Sequence, residues 1–187
     1  GIHPNFRSNS SHGQNVQEVC DYICDLFPEA IVSRSHGFVD SLEIQRNLFK
    51  RGIKYDSNEL LQNSARISMK KLDSGIKRVP CFWSDGMIIK KSKNASYDIK
   101  KDRKLTLSSL SEPGYKVLNI HPILFLTNSN NYKHYEEIRN KCTSFCKKDL
   151  NLHLNKSEYG VKDYFYDLLN SEVVGFNPIQ DFNKLFQ

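Results

Sequence analysis

The sequence predicts an α/β fold, and three observations carry that prediction. Short apolar runs alternate with stretches of helical period through the first part of the chain. Helix-stop and turn residues separate the two kinds of segment. With 187 residues and 39% hydrophobic content, the chain can bury one sizeable core, so a single domain spanning 1–187 is expected.

Val16, Val19, Cys20, Ile23 and Phe27 fall at helical spacing, and Pro28 stops that helix. Ala30 to Ser33 reads as a buried strand whose end presents Arg34 and His36. Asp40 suits the N-cap of a second helix that runs to Lys50, with Gly52 just beyond its end. Ile53-Lys54-Tyr55 follows as a strand and leads into Asp56-Ser57-Asn58. Ligands in α/β folds collect at the carboxyl ends of strands, which singles out Arg34-Ser35-His36 and Asp56-Ser57-Asn58.

The stretch from Arg78 to Gly86 holds the one tryptophan. Phe82-Trp83 is a candidate wall for stacking on a sugar face, with core packing as the alternative. Residues 92–111 are polar and lysine-rich and read as a long loop or excursion. Tyr115 to Ile120 is a strong strand with His121-Pro122 at its end. Tyr132 to Leu150 reads as one helix with an apolar stripe of Tyr135, Ile138, Cys142, Phe145 and Cys146. A last helix spans about Val161 to Leu169, before a polar tail.

The net charge of +6 is local. Arg66 to Lys104 holds twelve Lys and Arg against four Asp and Glu, and the remainder holds fifteen against seventeen. That segment could meet phosphates or an anionic glycan, or be a solvated surface. A nucleic-acid partner is not expected, because no recognition motif accompanies the charge. No run of eighteen apolar residues suggests a membrane span, and the opening residues do not form a signal peptide. The five cysteines lack a Cys-x-x-Cys pair and fit a reducing compartment, so the cytoplasm is the expected location.

Four of the six histidines stand beside turn residues or strand ends: His3, His12, His36 and His121. Neutral imidazole is both a zinc ligand and a proton carrier near pH 7, so this set points to a metal-dependent hydrolase.

The motifs His3-Pro4-Asn5-Phe6, Ser10-Ser11-His12-Gly13, Arg34-Ser35-His36, Tyr55-Asp56-Ser57-Asn58, Phe82-Trp83-Ser84-Asp85 and His121-Pro122-Ile123 occur in one order. In that order they resemble the NodB-homology branch of the polysaccharide deacetylase superfamily that is met in bacterial surface-polysaccharide gene clusters. The resemblance covers residues 1 to about 135. It implies a distorted (β/α) barrel, a divalent metal, usually zinc, and removal of acetyl groups from sugars. On that pattern His3 and His12 look like metal ligands, with His36 able to replace one. Arg34 looks like the arginine that orients the catalytic carboxylate, and His121 like the general acid. Asn5, Tyr55, Trp83 and Asp85 are the candidate substrate contacts.

The superfamily's acidic first motif should precede the histidines, yet only Gly1 and Ile2 precede His3. The expectation is therefore a carboxyl-terminal portion of such a domain, lacking its opening strand or strands. Asp85-Gly86 also departs from the Asp-Asp pair usual in this branch. Two other functions stay open on the sequence: a non-catalytic relative that binds a glycan, and a nucleic-acid-binding protein built on residues 66–104.

Overall fold

The computed structural model describes residues 1–141, 147–171 and 179. These residues form an α/β arrangement of two compact units, one holding Gly1–Leu61 with Arg66–Cys81 and the other Gln62–Ala65 with 82–171.

In the first unit α1 spans Val16–Leu26. The Asn15 side chain accepts the Glu18 N–H at 2.9 Å, and the Glu18 carboxylate reaches back to the Gln14 N–H at 2.8 Å. Those reciprocal bonds satisfy amides that the first turn would leave unpaired. The helix buries Val19, Cys20, Ile23 and Cys24, so the cysteines serve as core, as their spacing predicts. Burial pushes the Cys20 thiol up to about 12, which keeps it protonated and unreactive.

Strand β1 (Val32–Ser33), helix α2 (Leu42–Lys50) and strand β2 (Tyr55–Asp56) make a parallel βαβ unit. The cap of α2 is Ser41, whose hydroxyl accepts from Ile44 N–H, and the expected cap Asp40 turns its carboxylate to Arg78 and Gln45. Past the helix end, Gly52 takes φ +93°. Its N–H bonds the Phe49 carbonyl while the Ile53 N–H bonds that of Leu48. This is the Schellman arrangement, which needs a left-handed residue and so favours glycine.

Strands β3 (Lys70–Lys71) and β4 (Lys77–Arg78) form an antiparallel hairpin, and β4 lies parallel to β2. The sheet order is β1-β2-β4-β3. Ile2 adds a parallel bridge to Ser33, with its N–H on the Val32 carbonyl at 2.8 Å. Ile2, Cys20, Ile23, Ile44, Leu48, Ile53 and Ile76 pack as the core between sheet and helices.

In the second unit β5 (Cys81–Ser84) pairs with β6 (Val117–Asn119). Helices α3 (Asp85–Lys91), α4 (Ile99–Leu110), α5 (Pro122–Leu126), α6 (Tyr132–Lys141), α7 (Lys147–Leu152) and α8 (Val161–Leu169) complete it. Helix α4 corrects the loop expected over 92–111. Asp98 caps it by accepting the Lys100 and Lys101 N–H groups, and its inner face is Asp102, Thr106 and Leu110. That face is mostly polar, so no apolar period marks it in the sequence. The helix expected over 132–150 is described as α6 and α7, and Cys142, Phe145 and Cys146 lie outside the described residues. Gly160 opens α8 where a Cβ would stand 2.2 Å from the Asn128 carbonyl oxygen, so only glycine fits there.

The strands make an open four-stranded sheet and a two-stranded one, and the expected barrel does not close among the described residues. No helix among them is long and apolar enough to cross a membrane.

The buried ion pair of the first unit gives a stability prediction. Arg78 is 9% exposed and Asp56 1%. Arg78→Met strands the Asp56 carboxylate, so urea unfolding should show a loss of about 3–5 kcal/mol. A loss under about 1 kcal/mol, the size typical of exposed pairs, would show that the pair does not support the fold.

Candidate functional site

The first unit places its histidines through backbone pairing. The Arg34 N–H bonds the Ile2 carbonyl at 3.1 Å and the His36 N–H bonds the Pro4 carbonyl at 2.8 Å, so residues 2–4 run beside 33–36. The His3 and His36 rings consequently meet with centroids 5.6 Å apart and planes at 82°. Two imidazoles bound at about 2.0–2.1 Å to one tetrahedral zinc have centroids roughly 5–6 Å apart, so the pair is spaced for two of a zinc ion's ligands.

His12 does not share that position. Its Nδ1 accepts the Asn5 N–H at 3.2 Å, and its ring lies 5.4 Å from that of Tyr22. A neutral imidazole that accepts at Nδ1 carries its proton on Nε2, leaving no lone pair there for a metal. Asn5 itself is spent on the same loop, its backbone on His12 and its Oδ1 on the Arg7 N–H. Among the described residues no group of three or more His, Cys, Asp or Glu stands together as a metal site. The donors present thus fit part of a zinc site, two imidazoles without a carboxylate.

The carboxylate at the end of β2 has another partner. Asp56 accepts from Arg78 Nε at 2.7 Å and from Arg78 Nη2 at 2.6 Å, and Nη2 also reaches Asp40 at 2.7 Å. Burial pushes the Asp56 carboxyl upward against the pull of Arg78, while the two aspartates hold the guanidinium firmly protonated. The arginine that grips Asp56 is Arg78, while the Arg34 guanidinium lies 5.8 Å from the Phe38 ring. Asp56 and Arg78 face each other only through the β2–β4 register, which no local motif announces. Around the ends of β1 and β2 the Ser33, Ser35 and Ser57 hydroxyls are buried without a hydrogen-bond partner among the described residues. Buried hydroxyls cost about 1–3 kcal/mol each unless water reaches them.

The second unit holds a closer chemical pair. Asp85 follows β5 and His121 follows β6. Asp85 is fully buried. Its Oδ2 accepts the His121 backbone N–H at 2.6 Å, and its Oδ1 lies 2.6 Å from His121 Nδ1. The Gly86 N–H also donates to Oδ1 at 2.6 Å. A carboxylate only accepts, so the neutral ring carries its proton on Nδ1 and its Nε2 keeps a lone pair that can take a proton and, once it has, give it up. The His121 side chain is 49% exposed, so that nitrogen can meet a substrate. A Cβ on Gly86 would lie 3.1 Å from His121 Cε1, which explains a glycine where the resemblance expects a second aspartate. Beneath the pair, Asn119 Nδ2 donates to Ser84 Oγ at 3.0 Å and ties the two strand ends together.

Three expected substrate contacts are corrected by burial. Trp83 is 0% exposed and packs 5.3 Å from the Tyr164 ring, so it offers no face to a sugar. Tyr55 is 1% exposed, with Lys77 5.8 Å from its ring. The Asp85 carboxylate spends both oxygens inside the protein and orients His121 instead of touching substrate.

Comparison with known proteins places these features in a family. The model of the WbmS-like polysaccharide deacetylase family matches residues 1–139. Among curated proteins none matches. Among solved structures the chain is similar to WbmS of Bordetella bronchiseptica, named as a candidate polysaccharide deacetylase involved in O-antigen biosynthesis. The identity is 25% and the TM-score 0.72, over 91% of this chain and 69% of that one. This chain belongs to the WbmS-like polysaccharide deacetylase family, in the NodB-like branch associated with surface-polysaccharide clusters.

Proposed function

We propose that the chain carries a carbohydrate deacetylase activity, which removes an acetyl group from an amino sugar or polysaccharide during surface-polysaccharide biosynthesis. The observation that carries this reading is the Asp85–His121 pair at 2.6 Å, with its outer nitrogen toward solvent. The family match and the α/β likeness to WbmS support it, and the distorted (β/α) barrel belongs to the same reading.

Hydrolysis of an acetamide adds water to the carbonyl carbon and then breaks the C–N bond. The departing amine is a poor leaving group until its nitrogen is protonated. His121 supplies that proton from Nε2, and acetate and the free amino sugar leave. Asp85 holds the ring through Nδ1 and stabilises the imidazolium that precedes the transfer, as a buried carboxylate does for histidine in other hydrolases. A divalent ion, with zinc as the usual one, supplies Lewis-acid polarisation and an activated water when bound, and His3 and His36 are its proposed imidazole ligands.

Acetate release from an N-acetylated oligosaccharide tests the reading. His121→Ala should lower kcat by about 10²- to 10⁴-fold, the usual contribution of one acid or base. Asp85→Asn should lower kcat, because the ring loses the carboxylate that orients it through Nδ1. Activity that survives His121→Ala unchanged sinks the proposal.

A smaller perturbation probes the geometry. Gly86→Ala crowds His121 Cε1, so kcat should fall while KM and the unfolding midpoint stay near wild type. Metal content gives an independent check. Elemental analysis of the purified protein should show zinc lost in His3→Ala and in His36→Ala but retained in His12→Ala. Equal zinc in all three variants would remove the metal assignment.

A further inference from the structure

We infer that Phe125 and Tyr166 form a stacking platform beside His121, which holds the sugar unit next to the one that loses its acetyl group. The sugar part of this inference rests on the proposed deacetylase function, and the platform rests on the rings themselves.

His121 and Phe125 belong to one turn of backbone. The His121 carbonyl accepts the Phe125 N–H at 3.2 Å where α5 begins. Side chains four apart on a helix are neighbours on one face, displaced along it by about 6 Å. That displacement is close to the length of one pyranose unit, so a chain with one sugar at His121 Nε2 can lay the next over Phe125. Pro122, exposed at the first position of α5, fixes the backbone between them.

The core does not use this face. Helix α5 turns Leu124 inward, 3% exposed, into a cluster with Ile89 and Val161. Helix α8 turns Val161, Tyr164 and Leu168 inward. Phe125, Phe165 and Tyr166 are left to a cluster of their own. The Phe125 ring stands 5.7 Å from that of Phe165 at 87° and 5.8 Å from that of Tyr166 at 63°. Such edge-to-face contacts hold the rings in place, so little ordering is needed when a ligand arrives. Phe125 and Phe165 are half-buried, while Tyr166 is 46% exposed and forms the outer part of the surface.

A pyranose is apolar on its C–H faces and polar along its edge, so it suits a flat apolar surface with a polar rim. The platform has both. Its rings offer the apolar face, and the Tyr166 hydroxyl and Lys162 Nζ, 6.0 Å from the Tyr166 ring centroid, supply polar groups beside it. A bilayer instead takes an apolar face with a basic rim. Helix α8 carries Lys162 against Asp163 and Asp167, a balance that does not favour an anionic lipid surface. A neutral sugar is the occupant that matches rings, rim and distance from His121 together.

Aromatic-ring NMR of the full chain titrated with tri-N-acetylchitotriose tests this, because stacking on C–H faces tolerates the identity of the sugar. The Phe125 and Tyr166 ring signals should shift saturably. The monosaccharide N-acetylglucosamine should bind at least about tenfold more weakly than the trimer. Tyr166→Ala should weaken trimer binding about tenfold, and Tyr166→Phe, which keeps the ring, should restore most of it. Phe125→Leu keeps apolar bulk without a flat face, and its weaker trimer binding gives a second reading should Tyr166→Ala disturb the fold. Unmoved ring signals, or a Tyr166→Ala protein that binds the trimer as wild type does, overturn the platform. Equal affinity for the monosaccharide overturns the role of a neighbouring unit. Ring shifts with phosphatidylglycerol vesicles and none with the trimer replace the sugar by a lipid surface. None of these readings needs acetyl removal, so the platform can fail while His121→Ala still abolishes activity, and the reverse.

Discussion

A carboxylate taken out of water must be given donors, and that requirement organises both units of this protein. Asp56, Asp85 and Asp102 are all at least nine-tenths buried. Asp56 is answered by Arg78, Asp85 by two backbone N–H groups and an imidazole, and Asp102 by Lys91 and Tyr164. The most distant partner of each lies 22, 36 and 62 residues away in the sequence. Each aspartate therefore ties together segments that local structure alone would leave independent.

The three differ in what they turn outward, and that difference separates support from chemistry. The Arg78 side chain is 10% exposed and stays inside, so its bonds with Asp56 and Asp40 hold the sheet. The His121 side chain is 49% exposed and that of Lys91 37%. A buried carboxylate behind an exposed imidazole orients a proton carrier, and one behind an ammonium neutralises it.

Helices were legible where their inner faces are apolar and their ends carry ordinary caps. Helix α1 begins after Asn15 and stops before Pro28, and α2 ends at the Gly52 turn, as their residues predict. Helix α4 was not legible, because Asp102 and Thr106 occupy the face that burial selects. The hairpin of β3 and β4 hid for a related reason: strands of two basic residues carry no alternation to read. Among the site residues, His121 and His36 stand at strand ends as their motifs imply. Trp83, Tyr55 and His12 have the same motif-level signature, yet two are core and one is a loop acceptor. A motif names residue types, and burial or a single backbone contact then decides whether the side chain is available.

By itself the sequence determined the alternation of helix and strand, the order of the histidine motifs and, through them, the family. Those properties reside in near neighbours, where period, caps and turn residues act within a few positions. Only the tertiary structure decided that Arg78 grips Asp56, that His3 meets His36 while His12 turns to Asn5, and that Asp85 serves His121. Those pairings depend on strand register and on where distant segments return. A shift of one residue in register reverses every side chain's face, and no local pattern in this chain records which shift was taken.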